Sequence, residues 1–329
     1  MSQPQFPSMP QAPAAPVTVG VAAAVLRRAD GRVLLACRPA SKVYAGYWEF
    51  PCGKVEPGET EQQALVREGR EELAIEVTAC RPWVTQIYAY PHATVRLQFF
   101  IVTAWEGEPQ AVEHSGLSWQ RPQAIDLAPL LPANGPILRG LLLPEEYAIS
   151  NAAEVGREAF LQALRRRVAG GLRLLQLREI AYSPEAMTEL AEAVMGILHP
   201  YGGKLLINND IALAHRVRAD GVHLTARQAA SLRERPDLAL VGVSCHNRDE
   251  LEQAQRLAAD FAVLGPVQRT ATHPEREPMG WQAFAQAISG SSIPVFALGG
   301  LQRSDCNLAW QHGAHGLAMI RGSWAEAAR

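Results

Sequence analysis

The chain has 329 residues, too many for one average domain, and its 48% hydrophobic and 19% charged residues suit globular units with sizeable cores. A formal net charge of −2 leaves no basic footprint for a nucleic-acid polymer, and no apolar run reaches membrane-spanning length. Five cysteines without a Cys-x-x-Cys pair argue against a disulfide framework and a structural zinc site, so the cytoplasm is the default location.

Residues 1–16 carry five prolines and no Lys or Arg, and read as a disordered leader. Residues 17–28 form a strand, and the turn at Asp30-Gly31 brings 33–36 back as the second arm of a hairpin. Arg38 follows; a substrate contact and a surface arginine at a strand end suit it equally.

The next stretch, 52–75, carries most of the chemistry. Gly53, Pro57 and Gly58 make a loop, and Thr60 with Gln63 makes a capping box for a helix running to about Leu73. Ala64, Leu65 and Leu73 are its core candidates. Glu68, Glu71 and Glu72 stand at i, i+3 and i+4 in the helix's second half. There they repel one another and oppose the macrodipole. Gly69 costs the helix roughly 1 kcal/mol more. Clustered carboxylates beside a polar loop suit a hard divalent cation carrying phosphate. Lys54 either touches phosphate or is solvated.

Residues 85–90 and 95–104 form an antiparallel pair turning at Pro91-His92, Ser118-Trp119 opens another strand, and 137–143 is a second helix. Gly53, Glu59, Arg67-Glu68 and Glu71-Glu72 fall at the spacing of the Nudix signature, which this region resembles. Gly69 and Ala74 depart from it, at positions that carry no ligand. Trp48-Glu-Phe-Pro-Cys-Gly-Lys-Val-Glu56, Trp105-Glu-Gly-Glu-Pro109, Glu113 and Pro132-Ala-Asn134 are similar to the MutT branch, the 8-oxo-dGTP diphosphatases, with Cys52 in place of a glycine. The resemblance implies an α/β/α sandwich over residues 17–144. It implies Mg²⁺, or Mn²⁺ in its place, on Glu68, Glu71 and Glu72 near Gly53, with Glu113 as a further ligand or base. Arg38 and Asn134 would then contact a purine nucleotide. The reaction would yield a nucleoside monophosphate and pyrophosphate, protecting DNA replication fidelity. Glu59 and Arg67 would hold loop to helix by a charge-assisted bond.

From residue 145 to 329 strands and helices alternate. Strands fall at 147–151, 172–178, 204–208, 221–224, 239–245, 261–264, 294–298 and 316–319, with helices at 154–168, 184–198 and 249–259 among those between. Eight such units indicate a (β/α)8 TIM barrel, compact and short of chain for a last helix. Polar residues gather at the strand ends: Gln176, Arg178, Asn208, His246, Thr270, Gly299, Gly300 and Arg321 are the candidates for a phosphate site.

Gln176-Leu-Arg-Glu179, Ala219-Asp-Gly-Val-His223, Val243-Ser-Cys-His246 and Ala297-Leu-Gly-Gly300 resemble the thiamine-phosphate synthases and their thiazole-tautomerase relatives. The synthase pattern has a lysine at Ile180, metal-binding aspartates at Asn209 and Gln228, and a lysine at His273. Losing two anions and two cations removes most of what holds a Mg²⁺-pyrophosphate substrate. Three readings follow: a nucleotide hydrolase with an accessory barrel, a bifunctional enzyme with a thiamine-related reaction, or a barrel that senses a thiamine-like phosphate and regulates a hydrolase of other diphosphates. The partner in each is a small-molecule phosphate, with neither a membrane nor polymeric nucleic acid involved; oligomeric state is unreadable.

Overall fold

The computed structural model describes residues 18–91, 93–270 and 277–325, so the expected leader and the positions of His92 and His273 lie outside the described residues. Strand β1 (Thr18–Leu26) alternates between two cores. Val21, Ala23 and Val25 pack with Phe99, Ile101, Ile137 and Leu138, whereas Ala22, Ala24 and Leu26 pack with Ala64, Leu65, Leu73 and Phe100. A period of two thus buries both faces of the strand between helices α1 (Glu61–Leu73) and α2 (Asn134–Leu141).

Strands β4 (Cys52–Lys54), β5 (Glu76–Tyr90) and β6 (Ala93–Glu106) complete this sheet in the order β4-β1-β6-β5. Only the β1–β6 pair is parallel. A second, antiparallel sheet sets β2 (Val33–Cys37) between β3 (Trp48–Glu49) and β7 (Gly116–Gln120). The expected hairpin of 17–28 with 33–36 does not form as a ladder. One bridge, Arg27 to Val33, joins the two arms. Both edges of β1 are already taken by β4 and β6, so β2 crosses to the other sheet.

The second half is a closed barrel of eight parallel strands: β8 (Glu146–Ile149), β9 (Leu174–Leu177), β10 (Lys204–Asn208), β11 (Gly221–Leu224), β12 (Leu240–Cys245), β13 (Phe261–Leu264), β14 (Val295–Leu298) and β15 (Gly316–Met319). Tyr147, Leu174, Leu206, Phe261 and Phe296 fill its interior. Around it lie α3 (Ala152–Val155), α4 (Arg157–Ala169), α5 (Pro184–Leu198), α6 (Ile211–Val217), α7 (Ala226–Ser231), α8 (Arg248–Arg256), α9 (Gly280–Ile288), α10 (Cys306–Gln311) and the single turn α11 (Arg321–Trp324). The helix expected at 154–168 is two helices, because Gly156 adopts a φ of 88° that breaks the helical path. The helix expected at 249–259 stops at Arg256, and Ala258 beyond it is left-handed. No helix among the described residues is long and apolar enough to cross a membrane.

The free edge of β5 does not face solvent. The Thr85 amide donates to the Ser291 carbonyl at 2.7 Å, and the Gln86 side chain donates to the Ser292 carbonyl at 2.7 Å. Arg81, buried, donates to the Ala314 carbonyl and to Glu145, and lies 4.7 Å above the Trp310 ring. These partners precede β8, β14 and β15, so the edge strand is capped by the barrel's N-terminal face. The opposite, C-terminal face stays open.

Candidate functional site

The Thr60–Gln63 capping box starts α1 as its residues dictate, and fixes where the carboxylates on the following turns lie. Arg67 ties the helix to the preceding loop. Its Nε and Nη2 meet the Glu59 carboxylate at 3.0 and 3.1 Å, Nη2 also donates to the Lys54 carbonyl, and Nη1 reaches Glu68 and Glu71 at 2.9 and 2.8 Å. Glu59 is thereby pulled below, and Arg67 raised above, the ordinary range. Lys54 itself is exposed.

The three helix carboxylates differ in setting. Glu71 is exposed, Glu68 half-buried and Glu72 buried. A side chain at Gly53 would place its Cβ 1.7 Å from the Glu68 carboxyl carbon, so only glycine lets that carboxylate lie against the loop. Burial pushes Glu72 up to about 7 against the pull of Lys42. Lys42 Nζ stands 3.1 Å from Glu72 and 3.4 Å from Glu113. Partial burial disfavours that ammonium, but the two carboxylates outweigh it and raise its pKa. His114 Nε2 lies 3.6 Å from the second Glu72 oxygen, and burial lowers His114 to about 4, leaving it neutral at pH 7.

Among the described residues no three His, Cys, Asp or Glu side chains stand ready as a metal cage. The carboxylate oxygens are held by Arg67 and Lys42 instead. Two observations nonetheless fit a divalent cation here: Glu72 Oε2 is buried without a hydrogen-bond partner, and Gly53 keeps room for the Glu68 carboxylate. An all-oxygen donor set of Glu68, Glu71, Glu72 and Glu113 matches Mg²⁺ or Mn²⁺.

Arg38 and Asn134, the residues expected to contact the nucleotide, lie beside Glu49 and Trp48. Arg38 donates to Glu49 at 2.6 Å and to the Val43 carbonyl at 2.7 Å, so its guanidinium clamps the 38–47 loop. Burial raises the Glu49 pKa despite Arg38. Cys52, whose thiol burial also raises, lies 3.9 Å from Glu49. Asn134, buried at the start of α2, points its amide at the Trp48 carbonyl 3.5 Å away. Tyr44, Tyr47, Tyr88 and Tyr90 form a chain of ring contacts alongside. Lys42, His114, Tyr44, Tyr88 and Tyr90 carry no signal in the sequence, since they come from loops and strands outside the signature, and Glu49 lies in a matching stretch without a role read from it.

The barrel's open face holds a cavity of about 1000 Å³, lined by all eight residues expected for a phosphate site. Gly299 and Gly300 have φ of 110° and 68°, and Cβ atoms there would strike Pro266 and the Arg269 carbonyl. Arg321 pairs with Glu154 at 2.7 Å. Asn209 and Gln228 bond to each other and to Thr225. Ile180, 77% exposed, joins Tyr182 and Met187 in an apolar stretch of the wall. His223, buried and lowered to about 3 by desolvation, meets Tyr147 at 3.1 Å and Ser244 at 2.9 Å on the cavity floor.

The thiamine monophosphate synthase profile matches residues 146–322, and the NUDIX domain profile matches residues 22–140. A putative thiamine-phosphate synthase 2 of Aquifex aeolicus is 34% identical over 181 residues, covering 54% of this chain and 96% of that protein. The CTP pyrophosphohydrolase of Escherichia coli is 42% identical over 124 residues, covering 38% of this chain and 91% of that protein. A solved MutT structure from work on Aliivibrio salmonicida and Vibrio cholerae is 30% identical, with a TM-score of 0.34, covering 38% of this chain and 98% of its own. The chain belongs to the thiamine monophosphate synthase family through its barrel, and carries fused ahead of it a Nudix domain homologous to CTP pyrophosphohydrolase.

Proposed function

We propose that the Nudix half hydrolyses a nucleoside triphosphate to the monophosphate and pyrophosphate, with 8-oxo-dGTP as substrate, and so cleans the nucleotide pool. The observation that carries the reading is the buried Glu72 oxygen on α1 that has no hydrogen-bond partner, one turn from a Glu68 carboxylate packed against Gly53, where only glycine fits. Glu68, Glu71 and Glu72 would hold Mg²⁺, which when bound neutralises phosphate charge and acidifies water. Arg67 keeps Glu68 and Glu71 oriented from one guanidinium. Glu113, exposed and within 3.4 Å of Lys42, would be a further ligand or the base that accepts the proton of the attacking water. Asn134, an amide beside Trp48, offers both a donor and an acceptor to a base edge.

A second reading rests on the 42% identity to a CTP pyrophosphohydrolase. Glu49, buried beside Trp48, can accept from the exocyclic amine of a cytosine edge. Comparing kcat/KM for 8-oxo-dGTP, dGTP and CTP at fixed Mg²⁺ decides. A preference for 8-oxo-dGTP over dGTP supports the first reading; a preference for CTP replaces it with the second.

For the barrel we infer phosphate binding without synthase activity. Gly299, Gly300, Thr270 and Arg321 remain at the cavity, while Ile180, His273, Asn209 and Gln228 replace two cations and two anions of the synthase pattern and so remove most of what would hold a metal pyrophosphate.

A further inference from the structure

Lys42 belongs to neither the Nudix signature nor the residues around the base, yet it is the cation that faces Glu72. It rides on the 38–47 loop, whose base is tied by the Arg38 amide to the Tyr47 carbonyl and by the Gly46 amide to the Arg38 carbonyl. The ammonium bridges two carboxylates from different elements, Glu72 in the last turn of α1 and Glu113 after β6. Both belong to the carboxylate set that fits a divalent cation, Glu72 as a ligand and Glu113 as a further ligand or base. A monovalent and a divalent cation cannot share them, since the two would repel at contact distance in a partly buried site. The side chain is 37% exposed on a surface loop, so it can swing outward.

We propose that Lys42 is an exchangeable counter-cation: it neutralises Glu72 and Glu113 before the metal arrives, then yields them and pairs with the substrate's phosphate oxygens. This rests on the metal-site reading above. Lys42 is then a positioning residue that couples the two ligands. Metal alone must evict an ammonium that has nowhere better to go. Metal arriving with a triphosphate gives that ammonium a new anion. Binding of metal and nucleotide is therefore cooperative, and reciprocally so.

The test is Mn²⁺ binding followed by electron paramagnetic resonance on the full chain, with and without a non-hydrolysable nucleoside triphosphate analogue. Lys42→Met keeps the aliphatic stem and removes the charge. It should tighten Mn²⁺ binding without nucleotide by on the order of tenfold, while raising KM for the triphosphate by a similar factor. Lys42→Arg should restore the wild-type order of both. If Lys42→Met binds free Mn²⁺ as the wild type does, or more weakly, the exchange is refuted. Glu72→Gln separates the two levels of the account. Loss of Mn²⁺ binding in Glu72→Gln together with no gain in Lys42→Met keeps the metal site and overturns the role of Lys42. Unchanged Mn²⁺ binding in Glu72→Gln overturns both.

Discussion

The indole N–H of Trp83, on the Nudix edge strand, donates to Nδ1 of His315 at the foot of barrel strand β15 across 3.1 Å. The other ring nitrogen, Nε2, lies 3.1 Å from the Leu143 carbonyl, which can only accept. The two partners therefore fix one tautomer: Nε2 carries the hydrogen and Nδ1 is bare. Protonating Nδ1 would set two donors against each other.

That arrangement gives stability a pH dependence. Burial, with Arg81 and Arg27 nearby, lowers His315 to about 3, and burial lowers His223 to a similar value. Both histidines bind a proton more readily when unfolded, so stability is intact above about 6.5 and falls as pH drops towards the folded pKa. Between pH 7.5 and pH 5.5 the expected loss is about 1 kcal/mol per histidine, read from urea unfolding midpoints. His315→Gln, which can still accept from Trp83 and donate to Leu143, should flatten the slope by one histidine's share. An unchanged slope would show that His315 does not titrate between the two states.

Gly53→Ala separates folding from chemistry. The new Cβ would meet the far end of the Glu68 side chain, which can move aside, so the stability cost should stay below about 1 kcal/mol. The displaced carboxylate should cost hydrolysis roughly a hundredfold in kcat, because catalytic geometry tolerates less than an ångström. Thermal unfolding and steady-state kinetics on one preparation check both halves. Full activity in Gly53→Ala would remove Glu68 from the machinery.

Ala74 ends α1 in the left-handed region, with φ 55° and ψ 36°, its amide donating to the Arg70 and Gly69 carbonyls. A residue with a Cβ pays roughly 1 kcal/mol there, a cost that glycine avoids. Ala74→Gly should therefore stabilise the chain by about 0.5 to 1 kcal/mol in denaturant titrations. A destabilised variant would mean that the exposed methyl makes contacts worth more than the strain.

The barrel strands were legible because short apolar runs between turn residues recur eight times, and 204–208, 221–224, 261–264 and 316–319 match their strands end for end. Residues of the expected phosphate site came together because they lie at or shortly after the C-terminal ends of the strands, a local property. The turn after β1 was legible, but not the change of sheet that follows it, since that depends on strands 52–54 and 93–106 competing for the edges of β1. Lys42 was invisible for the same reason: its two carboxylates lie 30 and 71 residues away. Nothing local marks Trp83 and His315 as partners, 232 positions apart.

The barrel should bind without turning over. At a concentration of 100 times its dissociation constant, a phosphate ligand stabilises by about 2.7 kcal/mol, which raises Tm by roughly 5 to 10 °C for a unit of this size. Thiazole phosphate is the probe, with Arg321→Ala as the control that should lose the shift. Formation of thiamine phosphate from thiazole phosphate and a pyrimidine pyrophosphate would contradict the loss of metal-pyrophosphate binding at Ile180, Asn209 and Gln228.

The most direct test of the hydrolase account is pyrophosphate release from 8-oxo-dGTP by the intact chain and by Glu71→Gln, with Mg²⁺ and with chelator. The account expects release only with Mg²⁺, a fall of at least a hundredfold in Glu71→Gln, and unchanged thermal unfolding, because Glu71 is exposed and its one ion pair contributes little. Release that persists in chelator, or equal rates for the two chains, would contradict it.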